Sequence, residues 1–179
     1  MITDSQLGRK VSMELWQPDQ PDFEERKYHH CVAFEPLAGQ QVEPILDGLA
    51  RTLKPAGLLV MTDLVAARPL DPADRQVARW AKLERRDPEG LMEPVAVTRL
   101  LGRVNLDVRI AEDVSDRHLE QVIEGWRVLL RDLAAHRPDP VTAAYLVAKA
   151  ELWLLRARLI RQGRLRLMRW QAISKARPL

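Results

Sequence analysis

The segment from Cys31 to Val65, CVAFEPLAGQQVEPILDGLARTLKPAGLLVMTDLV, leaves few folds open to the chain. It reads as strand, helix, tight turn and strand, with Glu35 and Asp63 closing the two strands. Val42, Ile45, Leu46, Leu49 and Leu53 recur at offsets of three and four, so the helix has one apolar face to lay on a sheet. Lys54, Pro55 and Gly57 stop it. Leu58 to Met61 is continuously apolar, the pattern of a strand covered on both faces. In open α/β sheets ligands sit outside the carboxyl ends of the strands, which puts Glu35 and Asp63 on the functional edge.

The rest of the chain supplies further elements of the same kind. Lys10 to Trp16 alternates Val11, Met13 and Leu15 with Ser12 and Glu14, as a strand does, and Gln17 to Arg26 is a polar loop. Strands are expected at Tyr28 to Phe34, Leu58 to Leu64, Leu106 to Ala111 and Arg164 to Ile173. Helices are expected at Gln41 to Leu53, Ala73 to Arg86, Pro94 to Val104, Ser115 to about His136, and from Asp139 or Thr142 to Gln162. Asp71 or Asp74 can cap the second of these, and Ser115 the fourth. The fold class is α/β, read as one domain over 1–179 with helical cap segments at about 73–104 and 115–162.

At 179 residues, 46% apolar and 30% charged, the chain can bury a core of its own. Its single cysteine, Cys31, excludes an internal disulfide framework. MITDSQLGRK has no apolar signal core, and no apolar run is long enough to span a bilayer, so a cytoplasmic location is expected. The His29, His30 and Cys31 run does not make a metal site, because adjacent strand residues point to opposite faces and no second ligand cluster exists.

The helix ending in LKPAG followed by LLVMTDL resembles the second half of class I S-adenosylmethionine-dependent methyltransferases, of the methyltransferase type 11 kind, in which a Leu-Lys-Pro-Gly-Gly turn precedes the fifth strand. Ala56 stands at the family's first glycine, and Gly57 alone is expected to take the positive φ. YHHCVAFEPL is similar to the family's fourth strand and VTRLLGRVNLDVRIAEDVS to its sixth-strand unit. ELWLLRARLIRQGRLRLMRWQAISKA has the form of a helical insertion, a glycine and the last strand. The family's glycine-rich cofactor loop, GxGxG, has no counterpart: no GxG occurs, and only Gly8 precedes Gly39. On this reading GRKVSMELWQPD is the third strand, and the fold is an incomplete Rossmann-like methyltransferase sheet with a helical insertion before its last strand.

The resemblance implies a small-molecule methyl acceptor and S-adenosylmethionine as cofactor, with a cofactor cradle that this chain lacks. The chain is then the acceptor-side portion of an enzyme, incomplete alone, and its unpaired sheet edge calls for direct closure of the third strand onto the fourth, its detachment, a missing N-terminal half or a homodimer. Glu35 ends the strand that faces the transferred methyl and is the catalytic candidate; its plainer reading is a carboxylate at the entry of the next helix. Gln17, Asp19, Phe34 and Pro36 fall on the cofactor side, with Leu37 beside them. Asp63, Trp80 and Trp126 fall on the substrate side, although a sheet-edge cap and core aromatics account for them equally. His118 and His136 read as surface residues.

The basic charge is uneven. Glu151 to Leu179 holds eight Lys or Arg and one acid, whereas the preceding 150 residues hold twenty basic and twenty-four acidic residues. One reading makes this end a face for an acidic partner, RNA or an anionic membrane, and the chain a noncatalytic interaction module. The plainer reading puts Leu152, Leu155, Leu159 and Ile160 in a buried stripe with the arginines on the wet face of one helix, and so argues against nucleic acid or membrane as partners.

Overall fold

A computed structural model describes residues 15, 23–38 and 42–175 of the chain. The strand expected at Lys10 to Trp16 therefore lies, Leu15 apart, outside the described residues, as do Gln17 and Asp19. Strand β1 (Tyr28–Phe34) leads through a 3-10 turn (Pro36–Ala38) into α1 (Val42–Thr52) and then β2 (Leu53–Ala66). Helices α2 (Arg75–Glu84) and α3 (Pro94–Arg103) precede β3 (Leu106–Asp113). A pair of long helices, α4 (Ser115–Ala135) and α5 (Pro140–Arg161), leads to β4 (Leu165–Ser174).

The four strands form one open sheet in the order β1-β2-β4-β3. β1 and β2 are parallel, as a helical crossover requires, while β4 runs antiparallel to both β2 and β3. Its central place is held by registered pairs: Met61 with Trp170, and Ala111 with Trp170 on the other side.

Apolar spacing decides where the core lies. Ile45 and Leu46 of α1 and Val97 and Leu101 of α3 are fully buried against Leu59, Met61 and Trp170 of the sheet. The Trp170 indole N–H donates to Thr98 Oγ1 at 2.9 Å, so this large side chain buries no orphan donor. A second apolar cluster joins Leu64, Val77, Trp80, Leu119, Leu159 and Leu165 beneath α2, α5 and the start of α4. Each fully buried side chain of this kind contributes about 1.5–3 kcal/mol.

The expectation of two covered faces at Leu58 to Met61 needs correcting. Leu59 and Met61 are buried, but Leu58 and Val60 are only half-buried, and their neighbours Val32 and Phe34 are 58% and 78% exposed. Complete burial begins further along β2, at Asp63 to Ala66, where α2 and α5 cover the second face.

The turn into β2 also differs from expectation. Ala56, not Gly57, carries the positive φ, at 60°. Gly57 is required for space instead: a Cβ there would lie 2.8 Å from the Lys54 carbonyl oxygen and 3.1 Å from that of His29. Lys54 to Gly57 form a bulge in the β1–β2 register, between Tyr28 paired with Leu53 and His30 paired with Leu58.

Candidate functional site

The carboxyl ends of β1 and β2 converge on one turn. Glu35 leaves β1 with φ at 47°, its N–H donating to the Thr62 carbonyl at 2.7 Å, and the chain then coils into the 3-10 turn. Asp63, fully buried, holds that turn by accepting a hydrogen bond from the Leu37 N–H at 2.6 Å. Its role in the structure is to fix the segment that presents Glu35. Pro36 opens the turn and is half-buried.

Helices α2 and α5 bring two arginines to these acids. Asp74 caps α2 by accepting from the N–H groups of Gln76 and Val77. The helix ends at Arg85, whose φ of 57° reverses the chain, and the Arg86 N–H returns to the Ala81 carbonyl at 3.0 Å. Arg86 thus enters the interior. Its Nη2 lies 2.8 Å from Glu35 Oε2, and its Nη1 donates to Asp63 Oδ1 at 3.3 Å. Arg156 of α5 pairs with Glu35 Oε1 through Nη2, and with Glu84 Oε1 through Nη1 at 3.1 Å.

Glu35, Asp63 and Glu84 therefore share two buried guanidiniums. Burial pushes the Asp63 carboxyl up to about 6, against Arg86 and the Leu37 N–H, with the Glu35 charge adding to the rise. Both oxygens of Glu35 already accept from an arginine, so a further donor must use the remaining lone pairs. Glu35 is thereby a rigidly aimed carboxylate.

Beside it opens a cavity of about 340 Å³, beyond the carboxyl ends of the parallel strands. Phe34, Glu35 and Thr62 form the sheet side, and Arg117, His118 and Gln121 of α4 form the opposite wall. His118 is half-buried, contrary to the surface position expected for it, and its ring lies 5.7 Å from that of Trp153. Burial foremost, and then Arg156, lowers its pKa, with Glu35 opposing. Its Nε2 is buried without a hydrogen-bond partner. No pattern in the sequence marks His118; its environment comes from α5, 35 residues further on.

Other expected residues fall elsewhere. Trp80 is a core residue, fully buried, and its indole N–H bonds Glu84. Trp126 is half-buried on α4 and does not line this cavity. His136 is exposed, and the Cys31 thiol is pushed up by burial. Among the described residues no cluster of three or more His, Cys, Asp or Glu could hold a metal ion, and no helix is long and apolar enough to cross a membrane.

No protein-family model and no curated protein sequence matches the chain. Solved structures do. Phosphoethanolamine N-methyltransferase 2 from Haemonchus contortus, bound to S-adenosyl-L-methionine, matches with a TM-score of 0.69 at 12% identity, over 86% of this chain and 35% of that one. Geranyl diphosphate C-methyltransferase from Streptomyces coelicolor A3(2), bound to S-adenosyl-L-homocysteine, matches with a TM-score of 0.63 at 13% identity, over 94% of this chain and 54% of that one. The cyclase SpnF matches with a TM-score of 0.62 at 19% identity, over 94% of this chain and 58% of that one. The chain has a partial methyltransferase fold.

In this fold β1, β2, β4 and β3 correspond to the fourth, fifth, last and sixth strands of the sequence reading. The chain spans between about a third and three-fifths of the length of these neighbours. Four of the eight basic residues at the basic end pair with acids of the chain. Arg156 is 4% exposed rather than on the wet face, because Glu35 and Glu84 are brought to it. Arg164 pairs with Asp74 at 2.8 Å, Arg166 with Asp113 at 3.6 Å, and Arg169 with Glu112.

Proposed function

We propose that this chain forms the acceptor side of an S-adenosylmethionine-dependent methyltransferase acting on a small molecule. The observation that carries the reading is the cavity between the carboxyl ends of β1 and β2 and the first turns of α4, with Glu35 fixed on its wall. Methyl transfer asks little of the protein beyond alignment of a nucleophile with an already activated methyl group, and a rigid wall supplies that alignment. Glu35 would orient the acceptor, and Phe34 and Pro36 would bound the cofactor's methyl end. The glycine-rich cradle must come from outside the GxG-free sequence, and β1, the edge strand of the sheet among the described residues, is the place for it to dock. A neighbour that is a cyclase shows that the same fold serves other chemistry, so the reading rests on the site.

Calorimetry with S-adenosylmethionine and S-adenosylhomocysteine tests it. The chain alone is expected to show no micromolar binding, and to gain it when a glycine-rich half is supplied, whether by in-frame sequence upstream of the Met1 codon or by a separately expressed cofactor-binding half. Micromolar binding by the chain alone overturns the division of the site. Failure of the completed protein to move a labelled methyl group to any small acceptor overturns the methyltransferase reading.

A further inference from the structure

Among the described residues, the cavity facing Glu35 has one cation to spare. Arg86 and Arg156 behind it are committed to Glu35, Asp63 and Glu84, and Arg169 on its rim is committed to Glu112. Arg117, in the first turns of α4, is exposed and has no carboxylate within salt-bridge distance among the described residues. Gln121 follows four residues later on the same helix face. His118 lies between them in the same wall. Phe34, Val114 and Leu167 supply an apolar lining, and Phe34 is 78% exposed.

We propose that this cavity binds a small molecule with an apolar body and an anionic end, the anion paired with Arg117 beside the Gln121 amide, and the body lying on Phe34 and Leu167. A volume of about 340 Å³ suits a ligand of that size. A guanidinium supplies paired N–H donors to a carboxylate or a phosphate alike, which makes the anion the shared chemistry of the two. The Gln121 amide lies in the same wall as Arg117, and the Glu35 carboxylate across the cavity is already paired with Arg86 and Arg156. The inference rests on the acceptor-side reading for its placement, yet its test is separate, because a ligand can bind here without any methyl transfer.

Titrations of the isotope-labelled chain with hexyl phosphate, hexanoate and hexylamine, followed by NMR, read the site directly. Hexyl phosphate or hexanoate is expected to shift the amides of Arg117, His118 and Gln121, and the one that binds more tightly names the anion. Arg117→Ala is expected to weaken that binding by about tenfold or more. Arg158→Ala, at an exposed arginine elsewhere on the basic end, is expected to leave it within about twofold. The proposal is overturned if hexylamine binds as well as the anions, if none of the three binds at millimolar concentration, or if Arg117→Ala binds like the parent chain.

Discussion

Gly57 and Ala56 divide between them what one glycine was expected to do. The left-handed φ of Ala56 costs an L-residue about 1–2 kcal/mol, whereas Gly57 is tied to its place by the carbonyls of Lys54 and His29. Gly57→Ala is therefore expected to destabilise the fold by about 1–3 kcal/mol, and Ala56→Gly to leave stability equal or higher, as read by urea denaturation. Asp63 makes a second prediction at this scale. Its carboxyl titrates at about 6 in the folded chain against an ordinary value of 3.8, so the folded state binds its proton more tightly than the unfolded state. The stability it contributes is full below pH 3.8 and is lost as pH rises through about 6. Relative to Asp63→Asn, the parent chain is expected to lose up to about 3 kcal/mol between pH 4 and pH 7. Parallel curves for the two proteins would contradict this.

At the scale of elements, the end of α2 and the middle of α5 do the assembling. The reversal at Arg85 carries Arg86 inward, and α5 delivers Arg156 from the far side. Both arginines lie in sequence contexts that read as solvated helix, and nothing local distinguishes Arg156 from Arg158. Helical spacing did put Leu159 and Ile160 in the core, where they are, because apolar burial follows a period that the chain carries in itself. The partner of a charge has no such period. Arg156→Ala is expected to cost about 3–5 kcal/mol, since it leaves Glu35, Asp63 and Glu84 to share the single guanidinium of Arg86, while Arg158→Ala stays within about 0.5 kcal/mol. Thermal and denaturant melts of the two variants make the comparison. Asp139 caps α5 by accepting from the Val141 and Thr142 N–H groups, and Asp139→Ala should cost about 1 kcal/mol and speed amide exchange in the first turn of that helix.

For the molecule as a whole, the sheet is covered on one face and partly open on the other. Met61→Ala, on the covered face, is expected to cost about 2–5 kcal/mol. Val32→Ser, on the open face, should change stability by no more than about 0.5 kcal/mol. Equal penalties would mean that the exposed face is covered in solution, by a second copy or another chain, and sedimentation would then show the association. The position of Glu35 at a ligand edge could be read from Cys31 to Val65 alone, because strand, helix and strand with acids at the strand ends is a local pattern. That β4 runs antiparallel in the middle of the sheet depends on segments more than 90 residues apart, and the second cover of β2 beyond Thr62 depends on α2 and α5 closing together over it.

The sequence alone determined the α/β class, nearly all the element positions and the absence of a glycine-rich loop, since periodicity, capping and turn residues act within a few positions of one another. Tertiary structure alone decided that Glu35 is clamped by Arg86 and Arg156, that Trp80 is core, and that His118 lines a cavity. Charge pairing and cavity walls are made between elements that meet only after folding, and Coulomb attraction leaves no repeat in the chain by which they could be foreseen.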